Sequence, residues 1–215
     1  MYETVKKWYE DFDEEYDNIV NGLKEAAKMI FEKQNMTISY TGKEETPEFM
    51  KAEVESFIEG LYEDQKQGEK VKVTCTKSNE GFATAGGVQY VACAGNFKDA
   101  GLEYTGALKV LQMIFSYEYL WIQKGGAYGC MCSFSDQGDS MFVTYRDPNL
   151  SESYKVYDEA ADYVADFDAD DRDMKKYIIG TIGSMDMPME AVDMGARSFH
   201  AYFLGKTEAD LQKVR

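Results

Sequence analysis

The sequence predicts an α+β fold in which one mostly antiparallel sheet is covered by helices. Apolar residues recur at helical spacing near both ends of the chain, whereas the middle carries short, glycine-punctuated apolar stretches typical of strands. Strands and helices are thus partly segregated along the chain. The 215 residues suit one large domain or two small ones. Because no compositional linker or internal repeat divides them, we expect a single domain over residues 1–215.

The first third of the chain predicts two helices separated by a strand. Apolar residues at three- and four-residue steps from residue 5 to residue 30 predict one long amphipathic helix. Residues 36–41 alternate between polar and apolar side chains, as a half-buried strand does. Pro47 then marks the first position of a second helix, where its missing N–H loses no hydrogen bond.

The middle third predicts the rest of the sheet. Residues 71–75 and 88–94 are strand candidates, and the second is more uniformly apolar, which predicts deeper burial. A helix is predicted through residues 108–121. Residues 127–145 then contain two strand-like stretches around Gln137–Gly138, which predicts a β-hairpin that turns at this glycine.

The last third is predicted to be helical. Asn149–Glu152 has the spacing of a capping box at the start of one helix, and further helices follow Asp170 and span residues 191–203. Thr207 and Asp210 form a similar pair, which would start one more helix. Since the chain stops soon after this signal, we expect the domain to be truncated at its C-terminal end.

The charge of the chain argues against several classes of partner. Its 39 acidic and 23 basic side chains give a formal net charge of -16 at pH 7. Such a surface repels nucleic acid and anionic membranes and attracts basic peptides over a distance. The alternative is a solvated acidic surface that only maintains solubility. No apolar run approaches the length of about 20 residues that spans a bilayer, and no secretory signal is visible. We therefore expect a cytoplasmic protein with no nucleic-acid and no membrane partner.

Few residues of this sequence could catalyse a reaction or hold a metal. His200 is the only histidine, and neither the HExxH zinc motif nor its reversed form HxxEH occurs. Cys130 and Cys132 form a CxC pair, which lacks the ligand spacing of a zinc site. We therefore expect four reduced, mostly buried thiols, and neither a catalytic residue nor a metal site in this chain.

An acidic run at residues 166–173 begins with the D-x-D-x-D pattern of a calcium-binding loop. An EF-hand loop also needs glycine at its sixth position and glutamate at its twelfth, where this chain has Asp171 and Tyr177. Acidic residues also cap the free N–H groups at a helix start and favour the positive end of the helix dipole. The run therefore favours helix initiation over calcium binding.

Two motifs are more specific than any of these patterns. Residues 124–129 read KGGAYG, and residues 145–149 read YRDPN. Together with the YLW triplet at residues 119–121 and weaker matches along essentially the whole chain, they resemble the C-terminal domain of the insulinase/pitrilysin class (M16) of zinc metallopeptidases. The similar branch is that of the presequence proteases and falcilysin.

The resemblance implies a domain that handles peptides without cleaving them. Members of this family consist of two halves, each of two similar α+β domains, that close around a chamber. Their zinc ligands lie in the first domain, on an HxxEH helix that this chain lacks. The resemblance thus implies a substrate-enclosing, non-catalytic domain without a cofactor of its own, since the zinc belongs to the catalytic half. Its implied partners are peptide substrates and that N-terminal catalytic half. The alternative is an inactive peptidase-fold module for binding or assembly.

The resemblance also implies a substrate-binding residue. In the family, a tyrosine and an arginine of the last domain hold the substrate backbone near the metal, and the tyrosine matches Tyr128. Its O–H group can donate to a developing oxyanion, and the flanking Gly126 and Gly129 would let a peptide backbone approach closely. The alternative for Tyr128 is an ordinary tyrosine of the sheet.

The arginine of that pair has no counterpart in this chain. The matching position, six residues before the tyrosine, is Ile122. The segment between Trp121 and Lys124 is also about three residues shorter than the family pattern. Either the arginine is lost or a short stretch is missing from this sequence. We expect Arg146 to order the turn before the following helix rather than to contact substrate.

Overall fold

The computed structural model describes residues 1–43, 48–63, 77–123 and 126–214. The chain divides into two compact units. The N-terminal unit is Met1–Asn79 with Ala191–Phe199, and the sheet unit is Glu80–Glu190 with His200–Arg215. The architecture combines helices with a small antiparallel sheet, so the predicted α+β class is confirmed. That the whole chain is one domain stays a prediction.

The N-terminal unit begins with two helices where the sequence predicts one. The predicted continuous helix is wrong because the chain bends at Asp11, whose φ and ψ are -111° and 34°. Aspartate is a poor interior residue of helices and favours their ends. The Asp11 carbonyl oxygen accepts the N–H groups of Glu14 and Glu15 at 3.1 and 2.9 Å, which starts the second helix. The helices of this part of the chain are α1 Tyr2–Glu10, α2 Phe12–Ile30 and α3 Glu48–Glu59.

The predicted strand at residues 36–41 is absent from the described part of this unit. A strand needs a hydrogen-bonded neighbour, and the described residues pair these positions with none. The pairing that does occur nearby is a single parallel bridge between Glu32 and Tyr62. The predicted strand at residues 71–75 and the predicted helix start at Pro47 lie outside the described residues.

The apolar stripe of α1 and α2 is exposed. Neither helix contains a buried residue, and Tyr9 and Leu23 keep 86% and 66% of their surface accessible. An amphipathic helix of a globular domain ordinarily buries such a stripe against a core. The described residues of this unit provide no such core for α1 and α2.

The sheet unit is built on three antiparallel strands in the order β1–β3–β2. β1 Gln89–Asn96 and β2 Gly129–Phe134 both pair with β3 Asp139–Asp147 in the centre. The predicted hairpin of β2 and β3 and the predicted strand near residues 88–94 are confirmed. Because β3 is bonded on both sides, it determines where the other two strands lie.

Gly138 closes the hairpin, as the sequence predicts. Its φ is +103°, in the left-handed region that favours glycine. Its N–H donates to the Ser135 carbonyl oxygen at 3.0 Å, and the Ser135 N–H donates to the Asp139 carbonyl oxygen at 2.8 Å. A Cβ atom at this position would also overlap the side-chain oxygen of Asn96. Backbone conformation and packing therefore both require glycine here.

Helices surround the strands of the sheet unit along the chain. α4 Gly106–Ile114 continues through a π-helical turn, Phe115–Tyr119, into α5 Leu120–Gln123, which confirms the helix predicted at residues 108–121. None of the described helices is long and apolar enough to cross a bilayer. The later helices of the sheet unit are α6 Leu150–Asp158, α7 Ala160–Ala165 and α8 Asp171–Met185. α9 Ala191–Phe203 belongs to the N-terminal unit up to Phe199, and α10 Glu208–Gln212 belongs to the sheet unit.

Two helix starts use the caps that the sequence predicts. The Asp170 carboxylate accepts the backbone N–H groups of Arg172 and Asp173 at 2.9 and 2.8 Å, which begins α8. Thr207 and Asp210 form a reciprocal capping box at the start of α10. The interpretation of the acidic run as a helix-initiation signal is therefore confirmed.

The core of the sheet unit lies between one face of the sheet and the helices. Two buried tyrosine hydroxyls find partners in it. Tyr119 donates to the Val156 carbonyl oxygen at 2.5 Å. Tyr157 donates to the Val91 carbonyl oxygen at 3.2 Å or to Thr144 Oγ1 at 3.1 Å. Burial raises the pKa of both phenols. The buried core consists of Val91, Phe115, Tyr119, Leu120, Cys132, Val156, Tyr157 and Ala160.

β1 is less buried than its apolar sequence predicts. Val91 is its one buried residue, whereas Tyr90 keeps 64% of its surface accessible. Among the described residues, β1 lies at an edge of the sheet, and the helices meet it on one face. A run of apolar residues does not reveal how many faces of a sheet are covered, so the prediction of deep burial was wrong.

The cysteines differ in burial more than predicted. Cys132 is buried, and burial raises the pKa of its thiol to about 12. Cys93 is exposed on the edge strand β1, which contradicts the prediction of mostly buried thiols for this residue. Cys75 lies outside the described residues.

We predict that Gly138→Ala destabilises the protein by more than about 1 kcal/mol, because alanine is strained at a positive φ and its Cβ would displace Asn96. Urea unfolding followed by circular dichroism measures this loss. Gly183→Ala is the matched control, since a Cβ at this α8 position meets nothing within 4 Å. Alanine should stabilise that helix by about 0.5–1 kcal/mol. Equal effects of the two substitutions would contradict this account of the turn.

We predict that Cys93 reacts with iodoacetamide well before Cys132 in the folded protein, because the thiolate is the nucleophile and burial disfavours it. The raised pKa of Cys132 also lowers stability at high pH. The stability that the buried neutral thiol contributes is fully present below the unfolded-state pKa of 9.0. It is lost as the pH rises through the folded-state pKa of about 12. Peptide mapping by mass spectrometry after timed labelling measures the order of reaction. Labelling of Cys132 at the same rate as Cys93 would show that β2, which carries Cys132, is open to solvent.

Candidate functional site

The two faces of the sheet differ in what covers them. Within the described part of the sheet unit, the helices pack on the face that carries Val91 and Cys132. Alternation along the strands places every second side chain on the other face. There Met131 keeps 52% of its surface accessible, and Tyr145 keeps 40%. This outer sheet face consists of Tyr90, Ala92, Ala94, Met131, Ser133, Met141, Val143 and Tyr145.

Tyr128, the predicted substrate-binding residue, lies at the start of β2. It immediately precedes the strand, and its backbone N–H continues the ladder by donating to the Tyr145 carbonyl oxygen at 3.1 Å. Its side chain keeps 76% of its surface accessible. The Tyr128 ring meets the Tyr145 ring edge-on at 5.8 Å, and Tyr145 meets Tyr90 at 5.2 Å. Tyr90 and Tyr145 lie on the outer sheet face, and the ring of Tyr128 joins them from the start of β2, so the three residues form an exposed tyrosine cluster at one end of that face.

Arg146 joins the tyrosine cluster. Its guanidinium carbon lies 5.8 Å from the centre of the Tyr128 ring and 5.6 Å from that of Tyr145, within the range of cation–π attraction. Sequence reasoning missed this placement, although the YRDPN motif contains the residue. Regular alternation would separate neighbouring side chains onto opposite faces, so the pattern alone gave no reason to group Arg146 with Tyr145.

Asp147 orders the turn from β3 into α6, the role that we expected of Arg146. Its buried carboxylate accepts the backbone N–H of Asn149 at 2.9 Å and the hydroxyl of Ser153. The Asn149 side chain caps nothing, so the predicted capping box of Asn149–Glu152 does not form. A carboxylate near a helix start also interacts favourably with the helix dipole. Asp147 thus takes the place of the predicted cap.

Gly126 and Gly129 flank Tyr128 and are not required by the packing of the domain. A Cβ atom at Gly126 would meet Pro148 Cγ at 3.7 Å, and one at Gly129 would meet Tyr145 Cβ at 4.0 Å. Both are ordinary van der Waals distances, and neither glycine has a positive φ. Alanine would fit at both positions. That these glycines admit a peptide backbone stays a prediction.

The position that corresponds to the family's arginine carries an exposed apolar side chain. Ile122 lies in α5 and keeps 66% of its surface accessible. Lys124 and Gly125 of the KGGAYG motif lie outside the described residues. In the described ranges, no group of three or more His, Cys, Asp or Glu side chains could hold a metal ion. The site can therefore contact a ligand through aromatic rings, phenolic hydroxyls and a guanidinium.

The fold and the site define a class of protein. The antiparallel sheet with helices on one face, and the sequence motifs that contain Tyr128 and Arg146, define a C-terminal domain of an M16 presequence-protease-like peptidase. The chain belongs to the PreP C-terminal domain family, whose model matches residues 79–215. It is thus a peptidase-associated domain, and the matched residues include the whole sheet unit.

Relatives in bacteria, plants and fungi are similar to this chain. It is 41% identical over 206 residues to Protein HypA of Clostridium perfringens (strain 13 / Type A), covering 94% of this chain and 21% of that protein. It is 30% identical over 211 residues to Presequence protease 1, chloroplastic/mitochondrial, of Arabidopsis thaliana, covering 94% and 19%. It is 34% identical over 96 residues to the mitochondrial presequence protease of Aspergillus fumigatus, covering 43% and 9%.

The chain spans about a fifth of the length of the first two of these relatives. The names of the plant and fungal relatives place those proteins in organelles. Our expectation of a cytoplasmic location for this chain therefore stays a prediction.

We predict that Gly129→Ala changes the free energy of unfolding by no more than about 0.5 kcal/mol, because neither φ nor packing demands glycine there. Thermal and urea unfolding of the purified chain measure the change, with Gly138→Ala as the destabilising comparison. A loss at Gly129 as large as that at Gly138 would assign this glycine to the fold and remove the argument that it serves an approaching peptide.

Proposed function

We propose that this domain forms part of the substrate-facing wall of a zinc-dependent peptidase and holds peptides without cleaving them. The observation that carries the proposal is the exposed tyrosine cluster with Arg146 on the outer sheet face of a PreP C-terminal domain. Family membership supports a peptidase context. The exposure of these side chains supports a contact role over a packing role.

The chemistry of the outer sheet face suits a peptide. Contiguous exposed apolar surface marks interaction sites, and tyrosine offers a large, rigid ring with a polar tip. Met131 and Met141 add flexible, polarisable side chains that adapt to different partners. Such a surface holds varied apolar side chains with little sequence preference, which suits an enzyme that degrades peptides.

Charge favours one kind of peptide over another. The chain carries a formal net charge of -16, so its field attracts basic peptides and repels acidic ones. This attraction acts at long range, and salt weakens it. The names of the plant and fungal relatives describe them as presequence proteases. We extend to this chain the substrate class of peptides, and no narrower class.

The catalytic chemistry must come from elsewhere in a longer protein. This chain has one histidine and no HxxEH motif, so its own residues do not fit a peptidase zinc site. It also spans only about a fifth of its relatives. We infer that its partner is an N-terminal catalytic half, where bound zinc supplies the activated water.

Tyr128 is the residue of this domain that we place against the reacting peptide bond. Its hydroxyl can donate a hydrogen bond to the oxygen that gains negative charge during cleavage. Contact with Tyr145 holds the ring, and the ladder bond to Tyr145 holds its backbone. Ile122 cannot supply the second, cationic group of the family's pair.

The second candidate is an inactive peptidase-fold module that binds peptides or assembles with other subunits. The missing HxxEH motif is compatible with it. The two candidates differ in whether the domain contributes to turnover when a zinc-bearing half is present, and the next experiment measures that difference.

We predict that the chain alone hydrolyses no peptide, and that joining it to the zinc-bearing half of its own longer protein creates activity. Tyr128→Phe in the joined enzyme should lower kcat/KM about tenfold or more, because it removes one donor that acts in the transition state. Cleavage of a fluorogenic peptide measures the rate, and elemental analysis measures the zinc content, which should not change.

Tyr202→Phe is the matched control, since it removes an exposed phenol hydroxyl from α9. Unchanged kinetics of Tyr128→Phe in zinc-loaded enzyme would show that this tyrosine serves packing alone. Joined halves that show no gain in activity would favour the binding or assembly module.

A further inference from the structure

Arg146 has an unusual backbone conformation for its residue type. Its φ is +50°, and it is the one described residue other than glycine with a positive φ. Side chains with a Cβ are disfavoured there, and arginine has no short polar group that would compensate locally. Such strain persists where the surrounding structure imposes it, and it clusters at functional sites.

The strain coincides with a bulge in the sheet. Gln89 pairs with Asp147 and Val91 pairs with Thr144, so one residue of β1 faces two residues of β3. A bulge bends the strand and re-aims its side chains. In a regular strand the side chain next to Tyr145 would point to the opposite face. Here the Arg146 guanidinium instead lies beside the tyrosine cluster.

The guanidinium is available to a ligand. Arg146 is exposed. Among the described residues, no carboxylate forms an ion pair with it, and it contacts the rings of Tyr128 and Tyr145. Ring faces contact a guanidinium without using its N–H donors. The five N–H donors of the guanidinium therefore remain free to bind an anion that lies in the plane of this group.

We propose that Arg146 binds the C-terminal carboxylate of a peptide that lies on the outer sheet face. A carboxylate matches the planar guanidinium with two parallel hydrogen bonds, and the Tyr128 hydroxyl stays available for the reacting peptide bond. The proposal rests on the proposed function, which brings a peptide to this face, and it adds the end of the peptide that is recognised.

The charge of the chain selects the C-terminal carboxylate over an acidic side chain. A surface of net charge -16 disfavours peptides rich in aspartate or glutamate. A basic peptide that this field attracts still carries one carboxylate at its C-terminus. The location also suits the end of a bound peptide. Arg146 lies near the end of β3 and Tyr128 precedes β2, so the site is at one end of the sheet.

Binding of three acetylated tripeptides to the whole chain tests this proposal. The probes are acetyl-Ala-Leu-Phe acid, its C-terminal amide, and acetyl-Ala-Glu-Phe amide, which carries its carboxylate on a side chain. The methyl NMR signals of Met131 and Met141 report binding on the outer sheet face, and Met→Leu variants assign them. We expect the acid to bind at least about tenfold more tightly than either amide, the size typical of a charged hydrogen bond.

Variants of Arg146 test the same contact from the side of the protein. Arg146→Asn should abolish the preference for the acid without lowering the melting temperature, because asparagine tolerates a positive φ. Arg146→Lys keeps the charge but loses the fork, so it should retain only part of the preference. Arg172→Gln, which removes an exposed arginine from α8, is the matched control and should leave the preference unchanged.

Each other outcome overturns the proposal in a distinguishable way. Equal binding of the acid and both amides would remove the carboxylate site and leave the proposed peptide-binding face intact. Equal binding of the acid and the glutamyl amide would assign the site to acidic side chains. No binding of any probe at millimolar concentration would contradict both this proposal and the peptide-binding face. An acid preference that survives in Arg146→Asn would place the site elsewhere.

Discussion

Asp147 is fully buried, and a buried carboxylate is stable only when hydrogen bonds replace the water that it has lost. The Asn149 N–H and the Ser153 hydroxyl supply such bonds. Together they connect the end of the central strand β3 to the first turn of α6. That helix carries Val156 and Tyr157 into the core, so the same contact determines how helix and sheet meet. Loss of a partner would leave a buried charge uncompensated, the costly case for such groups.

The constraint at Asp147 also shapes the opposite side of the sheet. Because Asp147 is held on the buried side and Thr144 also points inward, two residues must fit between them where alternation allows one. The bulge and the positive φ of Arg146 accommodate the extra residue. The hydrogen bonds of Asp147 on the buried face therefore also bring the Arg146 guanidinium to the tyrosine cluster on the exposed face.

The two faces of the sheet follow different chemical rules. On the buried face, the hydroxyls of Tyr119 and Tyr157 are paired, and burial raises the pKa of both, so they remain neutral. On the outer face, Tyr128 and Arg146 keep polar groups that water or a ligand can reach. In this PreP C-terminal domain, the helices of the sheet unit thus cover one face, and the outer sheet face keeps exposed side chains. The described residues bring no metal-binding group to either face.

Local chemistry made much of this protein readable from its sequence, including the α+β class, the hairpin at Gly138, the caps at Asp170 and Thr207, and the family. These features depend on residues close together in the chain, so spacing and residue type suffice. Tyr128 was also found in this way, through its motif. Only the tertiary structure decided the exposure of β1 and the choice of Asp147 as the residue that orders the turn into α6. It alone placed Arg146 beside the tyrosines, because a bulge arises from the pairing of strands more than fifty residues apart, which no local pattern records.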